Sequence, residues 1–204
     1  MRRPYCTVRD LFTKLGAPSQ ALLRVWVTLS LLLVPLCLAG QTPAAAEYRA
    51  KANYLANFPS FVEWPGEAVA SANAPFVVCV FGEFSFGTSL AEMTRGATVH
   101  GHHLEIRWVH KVEELSGCQI LFVSRSVQKS YNQVLEAVRD KMMLTVGETP
   151  EFLDAGGILT FSSQQGAIQF DVNLAAANRA HLRISSQLLA LARRVLNRTE
   201  DAKS

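Results

Sequence analysis

The spacing of apolar positions changes several times along the chain, and each change predicts an element. Over residues 48–64, Leu55, Phe58 and Val62 recur at intervals of three and four, with Tyr54 and Phe61 beside them. That is the period of an amphipathic helix. Pro59 lacks a backbone N–H, so it kinks or shortens this helix, and Trp64-Pro65-Gly66 stops it. Residues 76–81 and 119–123, the latter after the polar Gln119, are continuous apolar runs of strand length, as expected of strands covered on both faces. A short helical pattern follows over 84–93. Residues 104–109 alternate, which assigns Leu104, Ile106 and Trp108 to one face. Residues 128–141 read as an amphipathic helix with Val134, Leu135 and Val138 inward, and 142–146 as a short buried strand. Residues 157–161 and 167–172 alternate around Ser-Ser-Gln-Gln-Gly, which predicts a hairpin with a turn of about five residues. Asn173 and Ser185 are placed to cap helices at 174–180 and 186–197. The last would carry Leu188, Leu191, Ala192 and Val195 as its apolar stripe, with Arg193, Arg194 and Arg198 near its C-terminal dipole.

Strands alternating with helices early and a hairpin late predict an α/β fold, a mixed β-sheet with helices on both faces. Residues 47–198 would form it as a single domain, followed by a disordered polar tail at 199–204. The first 46 residues are of another kind. Arg2, Arg3, Arg9, Lys14 and Arg24 face a single acid, Asp10; residues 25–39 carry no charge; and Ala44-Ala45-Ala46 precede Glu47. A basic segment, an apolar stretch and an A-x-A site are the three parts of a secretory signal peptide, which predicts the periplasm. The apolar run falls short of the roughly 20 residues of a spanning helix. An uncleaved anchor is the competing reading. Cys37 follows Leu36, where lipoprotein processing needs a small side chain.

Removing the signal changes the charge. The chain holds 20 basic and 17 acidic residues, of which residues 1–46 hold 5 and 1. The remainder has 15 against 16, a net charge of −1, which gives no footprint for nucleic acid. Cys79 and Cys118 stay with the mature chain. Both lie in strand-like runs, so in an oxidising compartment they make either one disulfide or two buried thiols.

Catalytic chemistry finds little support. Gly82-Glu83-Phe84-Ser85-Phe86-Gly87-Thr88-Ser89 follows a strand and approaches a phosphate-cradling loop, but Thr88 stands where the lysine belongs and Glu83 adds a negative charge. His100, His102, His103 and His110 cluster in sequence, yet His102 and His103 are strand neighbours and point to opposite faces. Asp171 reads as a surface acid of the hairpin. There is no nucleophile elbow and no His-Glu-x-x-His, so no catalytic residue, metal or cofactor is assigned. The aromatic residues Phe58, Phe61 and Trp64 are the candidates for binding a partner, with a core role as the alternative.

Residues 57–65, Asn-Phe-Pro-Ser-Phe-Val-Glu-Trp-Pro, resemble the N-F-x-x-F-V-x-W-P signature of the YfiR family of periplasmic proteins. The similarity continues in order through Cys79-Val80-Phe81-Gly82, residues 118–124, Leu144-Thr145-Val146-Gly147, Gly156-Gly157-Ile158, residues 168–173 and residues 184–189. The resemblance implies a YfiR-like α/β sandwich, usually a homodimer, that inhibits a membrane-bound diguanylate cyclase through its periplasmic sensor portion. An outer-membrane lipoprotein would relieve the inhibition, raising cyclic di-GMP and biofilm output. Cys79 and Cys118 match one cysteine pair of that family. A second pair is missing, with Leu153 and Thr160 standing nearby, and Pro59 replaces a helix former. The alternative function is a periplasmic small-ligand-binding domain reporting to a membrane sensor kinase or other receptor.

Overall fold

All six residues of β2 (Phe76–Phe81) are buried, because this strand has a parallel neighbour on each side and a core on each face. The computed structural model describes residues 43–65, 73–83, 90, 94–164 and 166–197, all within the unit Gln41–Ser204. In chain order the elements begin with α1 (Pro43–Asn57), β1 (Val62–Glu63) and β2, then β3 (Thr98–Val99), β4 (His102–Val109) and β5 (Ile120–Val123). Next come α2 (Tyr131–Val138), β6 (Leu144–Gly147), α3 (Pro150–Asp154), β7 (Leu159–Gln164) and β8 (Ala167–Asn173). The chain finishes with α4 (Leu174–Arg179), β9 (Arg183–Ile184), α5 (Ser186–Leu191) and β10 (Arg194–Leu196). Eight strands form one mixed sheet in the order β10-β8-β7-β6-β5-β2-β4-β3, and β1 pairs antiparallel with β9 in a separate ribbon. The expected mixed sheet with helices on both faces is the fold of the described residues.

Strand alternation sorts the interior into two cores. Phe76, Val78 and Val80 of β2 join Ile120 and Phe122 of β5 on one face, under α1, α4 and α5. Val77, Cys79 and Phe81 join Leu121 and Val123 on the other, under α2 and α3. The inward residues expected on α2, Val134, Leu135 and Val138, are all buried there.

Several boundaries differ from the periodicity. Pro59 shortens the first helix, which ends at Asn57 and passes into a 3-10 turn, Phe58–Phe61. The helix expected at 128–141 begins as a 3-10 segment, Arg125–Ser130, opened by Ser124, whose Oγ accepts from Ser126 N at 3.1 Å. Trp108 shares the face of Leu104 and Ile106 but is 44% exposed, since β3 pairs with only His102 and His103 and leaves the far end of β4 at the sheet edge. In the hairpin Gln164 pairs with Ala167, so the turn is two residues long rather than five. Gly166, at φ +81°, supplies the left-handed backbone that so tight a turn needs. α3 has five residues, too few for a period to register, and is marked only by Pro150 at its first turn.

The largest correction concerns the C-terminus. Asn173 and Ser185 cap α4 and α5 as expected, accepting from Ala176 N at 3.0 Å and Leu188 N at 3.2 Å. But α5 ends at Leu191, and Arg194–Leu196 run as a strand parallel to β8. Leu191, assigned to the apolar stripe, is exposed. Strand pairing has overridden helical period here, with Arg193 N donating to Phe170 O at 2.9 Å. The helical stretch expected at 84–93 lies almost wholly outside the described residues, as do the predicted signal before Pro43 and the tail at 199–204.

Candidate functional site

The three aromatic candidates sit on one short segment and have different surroundings. Phe58 is fully buried among Tyr54, Phe161 and Phe170, with ring centroids 5.9, 5.8 and 5.4 Å away. Its work is packing. Phe61 and Trp64 are half-buried against the same core, Trp64 meeting the edge of Phe76 at 5.0 Å. The indole Nε1 of Trp64 is buried with no hydrogen-bond partner among the described residues.

Between these two rings, β1 pairs Val62 with Ile184 and Glu63 with Arg183, and Ser185 N donates to Phe61 O at 2.9 Å. Val62 points into the core, which turns Glu63 outward. Glu63 and Arg183 stand 4.0 Å apart and almost fully in solvent. Phe61 and Trp64 thus flank a charged, exposed ribbon.

Cys79 and Cys118 form a disulfide, with Cα atoms 5.8 Å apart. Cys79 is central in β2, and Cys118 lies two residues before β5, where the intervening Gln119 holds Val77 through both its backbone and its side chain. The bridge is buried in the second core. Of the two residues near the Gly-Gly turn, Leu153 is buried and Thr160 Oγ1 donates to Thr149 O at 2.8 Å.

Neither of the other motifs assembles a site among the described residues. His102 lies 2.9 Å from Ala74 O through Nδ1, and no group of three or more metal-ligating side chains occurs among the described residues. In the Gly-rich loop, Glu83 is engaged by β5's following turn, its N–H donating to Ser126 Oγ at 2.9 Å and its carbonyl accepting from Ser124 Oγ at 2.7 Å. Residues 84–89 of that motif lie outside the described residues.

Two charged clusters escaped the sequence reading. Lys51 of α1 is buried, and its Nζ lies 2.6 Å from Glu47 and 2.8 Å from Glu148, with Arg125 N donating to Glu148 at 2.9 Å. The Lys51 hydrogen bond holds the Glu47 carboxyl below its ordinary pKa, against desolvation by burial and aided by the charges of Lys51 and Arg125. Only the i,i+4 spacing of Glu47 and Lys51 was visible locally; Glu148 is 97 residues away. Asp171, expected at the surface, is fully buried and gripped by Arg193, whose Nε donates at 2.8 Å, with Arg194 at 3.3 Å. That contact raises the Arg193 pKa. The acid is covered because β10 returns alongside β8, which no local pattern announced.

A family model described as YfiR/HmsC-like matches residues 48–193. No curated protein matches. Among solved structures, a conserved domain protein from Vibrio cholerae O1 biovar El Tor is similar at 10% identity with a TM-score of 0.50, over 72% of this chain and 60% of that one. The ABC domain in complex with L-Trp from Streptococcus pneumoniae is similar at 12% identity with a TM-score of 0.46, over 59% of this chain and 55% of that one. The chain thus spans little more than half of either, and at these identities the Vibrio likeness concerns the fold alone.

Proposed function

Because the chain belongs to the YfiR/HmsC-like family, whose model spans nearly all of its folded part, we propose that it binds and inhibits a membrane-bound diguanylate cyclase. At the level of the family, it is a periplasmic regulator of diguanylate cyclase rather than an enzyme. No helix among the described residues is long and apolar enough to cross a membrane.

In this reading, residues 1–46 direct export and are removed. Cleavage before Glu47 would shorten α1 by its first turn and leave intact the residue that holds Lys51. The mature protein works as a homodimer in the periplasm. It binds the periplasmic sensor portion of the cyclase in its inactive state better than in its active one, and differential affinity sets how far the population shifts. An outer-membrane lipoprotein relieves the inhibition by competing for the regulator. Cyclic di-GMP and biofilm output then rise.

The observation that carries this reading is the family match across the folded unit, beside a disulfide on the matching cysteines. The β1–β9 ribbon supports it as the contact surface. It offers two half-buried rings and two exposed charges.

Deleting the gene should raise cellular cyclic di-GMP, and a Phe61→Ala/Trp64→Ala variant that still folds should fail to restore the low level. Unchanged cyclic di-GMP after deletion, measured under several envelope stresses, would overturn the proposal. Intact-mass measurement of the exported protein should find a chain beginning at Glu47.

A further inference from the structure

The large sheet is poorly closed in one place. β6 and β7 pair over only two positions, Val146 with Leu159 and Gly147 with Thr160. Ahead of these pairs the two segments splay, bridged by Thr145 Oγ1, which accepts from Ile158 N at 3.0 Å. A cavity of about 360 Å³ opens at this seam, between α2, the turn at Gly156 and α4.

Its floor is apolar. Leu135, Val138 and Met143 come from one core, and Ile158, Ala176 and Ala180 from the other, none more than 7% exposed. Ala176 and Ala180 stand one helical turn apart, and their single methyl groups are what leaves the space open. The mouth is polar and carries Asn132, Glu136, Arg139 and Arg179. Arg139 is paired with Glu136 at 3.4 Å. Arg179 forms no ion pair with another described residue. Its guanidinium lies over Gly156, 3.8 Å from where a β-carbon would stand. Two cations against one carboxylate leave the lining with an uncompensated positive charge, and it belongs to Arg179.

These features select a ligand class. An apolar floor favours an apolar body, and an exposed guanidinium at the rim, without an ion-pair partner among the described residues, favours a carboxylate, whose two oxygens match its fork. The volume lies at the small end of small-molecule sites. We propose that this cavity binds a small amphipathic monocarboxylate, its carboxylate on Arg179 and its apolar body between α2 and the two alanines. The site is independent of the cyclase reading, since it shares no residue with the β1–β9 ribbon and its test uses no cyclase.

The probe is phenylacetate, titrated calorimetrically into the purified protein, with phenylacetamide as its uncharged isostere. Phenylacetate should bind saturably, and the amide roughly tenfold more weakly or worse, as expected for losing a charge-assisted contact. Arg179→Gln should weaken the acid by about the same factor and leave the amide unchanged, whereas Arg139→Gln, already paired, should change little. Equal affinity for acid and amide would overturn the proposal, as would the absence of saturation by about 10 mM or an unaffected Arg179→Gln variant. Should that variant fail to fold, the acid–amide comparison on the unaltered protein decides alone.

Discussion

Alternate residues of the same strands feed two cores of unlike construction. The first spans Ala52 to Leu188 in sequence and interlocks aromatic rings from α1, β7 and β8. The second draws on a shorter stretch, from Val77 to Phe152, and carries the disulfide together with the ring of Phe152 standing edge-on to Tyr131. Phe152 fits because Gly147 and Gly157 flank it: a β-carbon on either would collide with the ring. Distant segments are thus joined by burying large surfaces, whereas nearby ones are joined by a covalent tie and a fitted plug. The difference teaches where each core should be fragile.

The largest loss is expected from Phe58→Ala, which empties the aromatic centre of the first core. Unfolding in urea should show a decrease of about 3–5 kcal/mol. A loss under about 1 kcal/mol would instead mark Phe58 as a partner-facing ring and collapse the contrast with Trp64. Replacing both cysteines, Cys79→Ala with Cys118→Ala, attacks the second core. Releasing a loop closed over 39 residues should lower stability by up to about 4 kcal/mol, visible as a lower melting temperature that reductant no longer changes. Gly147→Ala tests the plug. Crowding Phe152 should remove about 1–3 kcal/mol, and a neutral result would show that the ring can move aside.

The smallest effect belongs to Glu47. Its pKa is depressed by Lys51 in the folded state, so its stabilisation is present above the ordinary carboxylate pKa and fades as pH falls through the lowered one. Glu47→Gln should therefore cost about 0.2–1 kcal/mol at neutral pH, and nothing once the wild-type carboxyl is protonated. Parallel stability curves for the two proteins across that acid range would contradict this.

What was legible in the sequence was whatever is encoded within a few residues. The continuous apolar runs gave β2 and β5, the i,i+3 and i,i+4 spacing gave α2, and the caps Asn173 and Ser185 gave two helix starts. What stayed hidden depends on partners far along the chain. A helical period continues past Leu191, yet the backbone there extends because β8 offers hydrogen bonds and Asp171 offers a buried charge to Arg193. Likewise, nothing near Lys51 shows that Glu148 will be waiting for it. For the site, composition named a segment but could not divide it. Phe58, Phe61 and Trp64 look alike in sequence, and only the packing of Phe161 and Phe170 makes Phe58 structural.

The two-residue ribbon between β1 and β9 also bears on how the chain assembles. Val62 finds its mate at Ile184, Tyr54 and Phe58 find theirs on β7 and β8, and Lys51 finds its own at Glu148. The first segment of the folded unit must therefore stay unseated until nearly the last has emerged. Contacts of such long sequence separation slow folding, and in the interval the amphipathic leading helix is a natural client for whatever chaperone meets it.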